Sequence, residues 1–219
     1  MSISISFGIL ANQNVDNIIQ SIKKQNIKEY EIIIVGNPEI FSKDEKVVNI
    51  YCHECETKNW ITQKKNIITQ YAQYEWVVML KDYILLERNW YLGLCKFISE
   101  NECDIVMNKI INNRKGRCID WVWNNPNLKE GRNVNYSVEN HPGMFVPGAF
   151  LCAKKELLTK HSFSEKIVGL NRQSDVEWSM RVLKTAVYKF NPYSVCRIFT
   201  QRGFKYRIFR QNCQCKMCK

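Results

Sequence analysis

An open α/β fold, with a mostly parallel central sheet flanked by helices, is predicted by three features of the sequence. Strand-like and helix-like segments alternate through the N-terminal half; the segment "YEIIIVG" is apolar almost throughout, as strands covered on both faces are; and 219 residues, 45% of them hydrophobic, suffice for one buried core.

The elements follow in order. "SISISFGIL" alternates polar with apolar residues and then turns fully apolar, so Ser4 to Leu10 reads as a first strand. Asp16 to Lys24 reads as a helix with Ile18, Ile19 and Ile22 inward, and "YEIIIVGNP" as a strand stopped by Gly36 and Pro38. "KVVNIYC" is a third strand. "NWITQKKNIITQYAQ" places Trp60, Ile61, Ile67, Ile68 and Tyr71 at helical spacing, and "EWVVML" is a fourth strand. "RNWYLGLCKFISEN" reads as a helix and "CDIVMNKII" as a strand; the polar stretch 112–140 reads as loops or a small meander over a site. "PGAFLCAKKELL" is strand into helix, and "VYKFNPYSVCRIF" a last strand. Between them, "QSDVEWSMRVLKTAV" opens a helix in which Ser174 and Glu177 have capping-box spacing, and Val176, Met180, Leu183 and Val187 form an apolar face. Capping leaves Asp175 and Trp178 unexplained, a carboxylate and a flat ring displayed near one helix end.

The formal charge of +11 favours an anionic partner: nucleotide phosphates, an acidic glycan, a membrane surface or nucleic acid. Basic residues are densest in "TQRGFKYRIFRQ", which reads as a charged edge strand or as a basic-aromatic patch. No nucleic-acid motif accompanies it, so no nucleic acid is expected, and an anionic membrane contact stays open. No basic segment precedes the first strand and no apolar run nears the roughly 20 residues of a membrane span, which predicts a cytoplasmic protein, soluble or peripheral. The 10 cysteines then read as reduced thiols. Cys52 and Cys55, with Cys213, Cys215 and Cys218, have the spacing of zinc ligands, although the first pair lacks a knuckle glycine.

Asp82 directly follows the fourth strand. In an open α/β sheet the crevice lies beyond the carboxyl ends of the strands, so a carboxylate there can meet a metal or a ligand hydroxyl. Lys64 and Lys65, on the preceding helix, can approach a diphosphate.

The order of these motifs resembles that of the nucleotide-sugar-dependent glycosyltransferases of the GT-A (Rossmann-like) fold, family 2 in particular. The matching residues are "SIKKQ" at 21–25, "EIIIVGN", "KKN" at 64–66, "MLKDYILLERNW" at the place of the D-x-D motif, "PGAFLCAKKELL", and "SDVEWSMRVL" at the place of E-D-x-x-x-x-x-R. The resemblance spans roughly residues 3–195. It implies one GT-A-like domain over 1–219, with a nucleotide-sugar-binding half at about 1–110, an acceptor-side half at about 111–195, and a basic, cysteine-containing segment at 196–219.

The resemblance further implies an inverting transfer of sugar from a nucleotide-diphosphate donor, a UDP-sugar favoured, to a glycan or glycoconjugate hydroxyl. Asp175 matches the general base, and Trp178 and Glu177 the acceptor side. Asn12, Gly36, Asn37, Lys64, Lys65 and Asp82 form the donor set. Asp82 matches the second acid of D-x-D, which holds a divalent metal, Mn2+ or Mg2+. Three departures accompany the match. Leu80 and Lys81 stand where the first acid belongs, so Asp82 would need a distant co-ligand such as His141; "GNP" at 36–38 replaces the nucleobase-reading acid; and Ser174 replaces the Glu of the Glu-Asp pair. An alternative that these departures keep open is a binding module of the same fold without catalysis.

Overall fold

The computed structural model describes residues 2–124, 131–139, 143–169 and 173–199. The sheet expected from the alternating pattern is present. Strands β1 (Ile5–Leu10), β2 (Tyr30–Gly36), β3 (Val47–Tyr51) and β4 (Trp76–Lys81) are joined through helices α1 (Asp16–Lys23), α2 (His53–Thr57) and α3 (Ile61–Tyr71). After β5 (Ile84–Leu86) come α4 (Trp90–Glu100) and β6 (Ile105–Ile111), then the short strands β7 (Val122–Asn124), β8 (Gly131–Asn133) and β9 (Met144–Phe145). β10 (Phe150–Lys154), α5 (Lys155–Lys160), α6 (Gln173–Val182) and β11 (Tyr188–Ile198) complete the described elements.

Eight strands form one sheet in the order β3-β2-β1-β4-β10-β6-β11-β5. β1 pairs in parallel with β2 and β4, and β2 with β3; β10 then runs antiparallel to both β4 and β6, and β11 returns to parallel pairing with β6. β4 is therefore the seam between a parallel half and a mixed half. Parallel strands need covered faces, and β1 and β2 are buried almost throughout.

Helix α1 buries Ile18, Ile19 and Ile22, the face its spacing predicts. α3 differs from expectation. Tyr71 is exposed and Ile67 only half-buried, while Lys64 and Lys65 are buried beside Ile61 and Ile68, because both ammonium groups find partners inside the protein. The helix lies close on β1. A Cβ added at Gly8 would stand 2.2 Å from Ile68 Cγ2, so only glycine lets α3 approach at this depth.

The polar stretch before β10 holds a three-stranded antiparallel sheet, β8-β7-β9; β7 is its central strand, so the order differs from the simple meander that the turn residues suggest. Its anchor is Asp120, fully buried, which accepts hydrogen bonds from the backbone N–H of Ile110 (3.2 Å) and Trp121 (2.6 Å), from Arg117 Nε (2.8 Å) and from the Tyr136 hydroxyl (2.8 Å). Burial, and then the Asp120 charge, push the Tyr136 hydroxyl well above its ordinary value. A buried carboxylate is tolerable only when donors surround it so.

Cysteines 95, 103, 118, 152 and 196 are free and buried, while Cys52 and Cys55 are joined as a disulfide, which departs from the all-reduced reading and removes both sulfurs from zinc ligation. Cys213, Cys215 and Cys218, and the basic-aromatic segment around them, lie outside the described residues. Among the described residues no helix is long and apolar enough to cross a membrane.

The close approach at Gly8 is testable by a double-mutant cycle. Gly8→Ala should cost about 1–3 kcal/mol in urea denaturation, as overpacking does. Ile68→Ala should reduce that cost in the double mutant; strictly additive effects would show that the two sites do not touch.

Candidate functional site

The carboxyl ends of β1, β2 and β4 lie on one edge of the sheet, since the three strands are parallel neighbours, and Leu10 is in register with both Val35 and Lys81. The residues that follow these ends are Ala11 and Asn12, Asn37, and Asp82. Helix α3 brings three consecutive side chains to this edge. At about 100° per residue they leave the helix in three directions.

Lys64 points to the loop after β1. Its Nζ donates to the Ala11 carbonyl at 3.1 Å and to Asn12 Oδ1 at 3.3 Å, and forms an ion pair with Glu56 at 2.6 Å. Asn12 is thus held at both ends, for its own N–H donates to Asp82 Oδ2 at 2.7 Å, while Gln13 Nε2 donates to the Asp82 carbonyl at 3.3 Å. Burial pushes the Asp82 carboxyl above its ordinary value, against the Asn12 N–H, which stabilises the charged form. Asn37 Oδ1 accepts from the Glu39 N–H and caps the turn after β2. Gly36 closes that strand.

Lys65 points the other way. Its Nζ lies 2.6 Å from Asp175 Oδ1 and 4.4 Å from the centre of the Phe163 ring. Asn66 fixes that ring, donating to the Phe163 carbonyl at 3.0 Å and accepting from its N–H at 2.9 Å. Asp175 is held from a second side. The Cβ that glycine lacks at position 148 would stand 2.1 Å from Asp175 Oδ2, so the carboxylate rests on a bare backbone. Ser179 then ties the helix to the same loop, donating to the Asp175 carbonyl at 2.6 Å and accepting from the Val146 N–H at 2.9 Å.

Lys81 ends β4 between these two groups. The charges acting on it are those of Lys65, Asp175, Asp82 and Lys64. Burial first, then Lys65, brings its pKa down from 10.5 to about 8, and Asp175 and Asp82 oppose the fall. Among the described residues its ammonium has no hydrogen bond and no ion pair, unlike those of Lys64 and Lys65. Sequence reasoning passed over Lys81, noting it only as a departure from D-x-D; the signal was a lysine ending an otherwise apolar strand.

The α6 expectations need correction. Trp178 is 1% exposed, stacked on Phe163 with ring centres 4.8 Å apart, and its Nε1 donates to the His161 carbonyl at 2.6 Å. It is core, not a displayed sugar platform. The buried face is Ser174, Trp178, Ser179 and Val182, while Met180 is exposed, so the helix is rotated from the aliphatic stripe. Helix α6 includes Gln173, which puts Ser174 inside it rather than at its cap, and the Glu177 carboxylate meets Arg181 Nε at 2.9 Å. His141 lies outside the described residues. Among those described, no three His, Cys, Asp or Glu side chains come together as metal ligands.

No protein-family model matches the sequence, and no curated relative matches it. Similarity appears in the fold. Residues 1–349 of TarS from S. aureus superpose with a TM-score of 0.63 at 15% identity, covering 88% of this chain and 60% of that one. The same TarS fragment in complex with UDP-GlcNAc gives 0.60 at 14% identity, with 92% and 60% covered. GalNAc-T7 with UDP, GalNAc and Mn2+ gives 0.66 at 14% identity, with 91% and 44% covered. The chain spans at most 60% of the length of these structures. The architecture is the GT-A fold.

The depressed pKa of Lys81 sets a pH dependence. Between about pH 8 and 10.5 the unfolded chain holds a proton that the folded chain lacks. Stability contributed by this group is therefore fully present above the unfolded value and is lost as pH falls through about 8. Lys81→Met removes the penalty of burying the charge, and should be more stable than the wild type at pH 7 by on the order of 1–3 kcal/mol. The gap should narrow in urea melts taken towards pH 10; a gap constant with pH would contradict the shift.

Proposed function

We propose that the chain is a glycosyltransferase that moves a sugar from a nucleoside-diphosphate sugar to a hydroxyl acceptor, with inversion at the anomeric carbon. The observation that carries this reading is the place of Asp175: Lys65 and the bare backbone of Gly148 hold its carboxylate at the carboxyl edge of the sheet, where Asp82 and Lys81 also stand. UDP-GlcNAc in TarS, and UDP with GalNAc in GalNAc-T7, support a UDP-sugar as the donor.

In the reaction, the acceptor hydroxyl oxygen attacks the anomeric carbon from the face opposite the diphosphate. The bond from that carbon to the diphosphate oxygen breaks, and the nucleoside diphosphate leaves with the electron pair. Asp175 takes the hydroxyl proton. Asp82, through the Asn12 N–H, fixes the loop after β1 against which the donor would lie. Lys64 is engaged with Glu56, Ala11 and Asn12, so its part is to hold that loop rather than to meet phosphate.

GalNAc-T7 is seen with Mn2+. The described donor set of this chain does not fit a divalent cation: the first D-x-D position is the fully buried Leu80, Asp82 Oδ2 accepts from Asn12, and the neighbouring Lys81 brings positive charge to the same place. No step is assigned to a metal.

A second reading has its own observation. Asp175 Oδ1 is occupied by Lys65, which suits a nucleotide-sugar-binding module without catalysis. Two experiments separate the readings. The chain is incubated with UDP-GlcNAc and UDP-GalNAc, with glycan acceptors and without, and released UDP is measured; tight binding without transfer or hydrolysis would favour the module. Asp175→Asn should lower transfer about 10²–10⁴-fold, the usual scale for losing a general base, while UDP affinity changes little. Transfer near the wild-type rate would remove Asp175 from the base role.

A further inference from the structure

At the carboxyl edge three lysines, Lys64, Lys65 and Lys81, stand with three carboxylates, Glu56, Asp82 and Asp175, and the pairing among them is unequal. Lys64 is 1% exposed, with Glu56, Ala11 and Asn12 as partners; Lys65 is 2% exposed and paired with Asp175. Both lysines are buried, so neither ammonium can turn to a ligand without abandoning the partner that makes its burial tolerable, a costly exchange. Lys81, a half-buried residue, alone of the three has an ammonium with no partner among the described residues. It also stands beside Asp82, where a cation would have to sit. We propose that Lys81 takes the place of a divalent cation, its ammonium binding the diphosphate of the donor and stabilising the nucleoside diphosphate as it leaves.

This inference rests on the glycosyltransferase reading and deepens it. A donor diphosphate brings two negative charges into the site, and the charge on its terminal phosphate grows as the glycosidic bond breaks. Something positive must face it. A pair of carboxylates recruits a metal for that purpose. Here the first carboxylate position is the 0% exposed Leu80, Asp82 Oδ2 accepts the Asn12 N–H at 2.7 Å, and the residue between them in sequence is Lys81. A lysine delivers one charge and up to three N–H donors, enough for oxygens of both phosphates. The Lys81 backbone is fixed as well, since its N–H donates to the Ala149 carbonyl at 3.1 Å, next to Gly148 beneath Asp175. Diphosphate and general base are therefore set by adjoining stretches of backbone.

Calorimetry of nucleotide binding tests the inference without requiring turnover. UDP, with GDP and CDP in parallel, is titrated into the wild type, Lys81→Met and Lys81→Arg, each in EDTA and again with Mn2+. Thermal melts run alongside to show that every variant is folded. The wild type should bind one diphosphate in EDTA, with Mn2+ changing its affinity by less than about three-fold. Lys81→Met should weaken that affinity at least about ten-fold, the loss of one charge-assisted hydrogen bond. Lys81→Arg should recover most of it, and the corresponding monophosphate should lose far less in Lys81→Met. A strict Mn2+ requirement in the wild type would overturn the inference and leave the glycosyltransferase reading standing, as would unchanged diphosphate affinity in a folded Lys81→Met. Absence of binding to every diphosphate, with metal or without, would overturn both.

Discussion

The structure depends on what one turn of α3 does with three consecutive polar side chains. Lys64, Lys65 and Asn66 would ordinarily face water, yet Lys64 secures the loop after β1, Lys65 secures Asp175 on α6, and Asn66 secures the backbone of Phe163. A buried ammonium is tolerated only with its partners in place, so each contact ties a distant segment to the helix. The loop that meets Asp82 and the helix that carries Asp175 are thereby referred to the same rigid turn. Trp60 and Thr62 extend the arrangement, donating to the carbonyls of Glu165 at 3.1 Å and Ile167 at 2.9 Å.

That constraint also explains which parts of the fold were legible in the sequence. Strands β1 to β4 and helix α1 follow from hydrophobic pattern alone, because burial of their faces is decided by local periodicity and by the covered sheet. The pattern also marks α3 and α6 as helices; it finds Ile61 and Ile68 on the inner side of α3 but not the two lysines beside them, and it turns α6 to the wrong face. Pattern counting sends lysine outward and aliphatic residues inward, whereas here Lys64 and Lys65 go in and Met180 goes out. The deciding partners, Glu56 and Asp175, lie 8 and 110 residues away from their lysines, and no local window contains the second of them. Trp178 was misread for a related reason. A large ring beside a carboxylate suggests recognition, while its actual neighbour, Phe163, belongs to the preceding loop. The short β5 and α2 lacked enough periodicity to be recognised at all.

The candidate site runs against stability. A half-buried lysine whose ammonium has no partner among the described residues, and a carboxylate pressed onto bare backbone, would not be retained by a sequence selected only to fold. The buried carboxylate of Asp120, by contrast, is satisfied by four donors. The contrast separates two uses of burial: in the small sheet it closes a network, and at the carboxyl edge it leaves one charge in reserve.

The seam at β4 has a consequence for how such a chain can diversify. Five residue pairs of antiparallel ladder join β4 to β10, and the Lys65–Asp175 contact spans the same boundary above them. Backbone pairing is indifferent to most side chains, so the connection asks little of sequence beyond an apolar strand and a glycine at 148. The strands and loops after β4 can then be rewritten for a different partner while the parallel half stays as it is. A shape held in this way needs few particular residues, and this chain shares its fold with structures that it matches at only 14–15% identity.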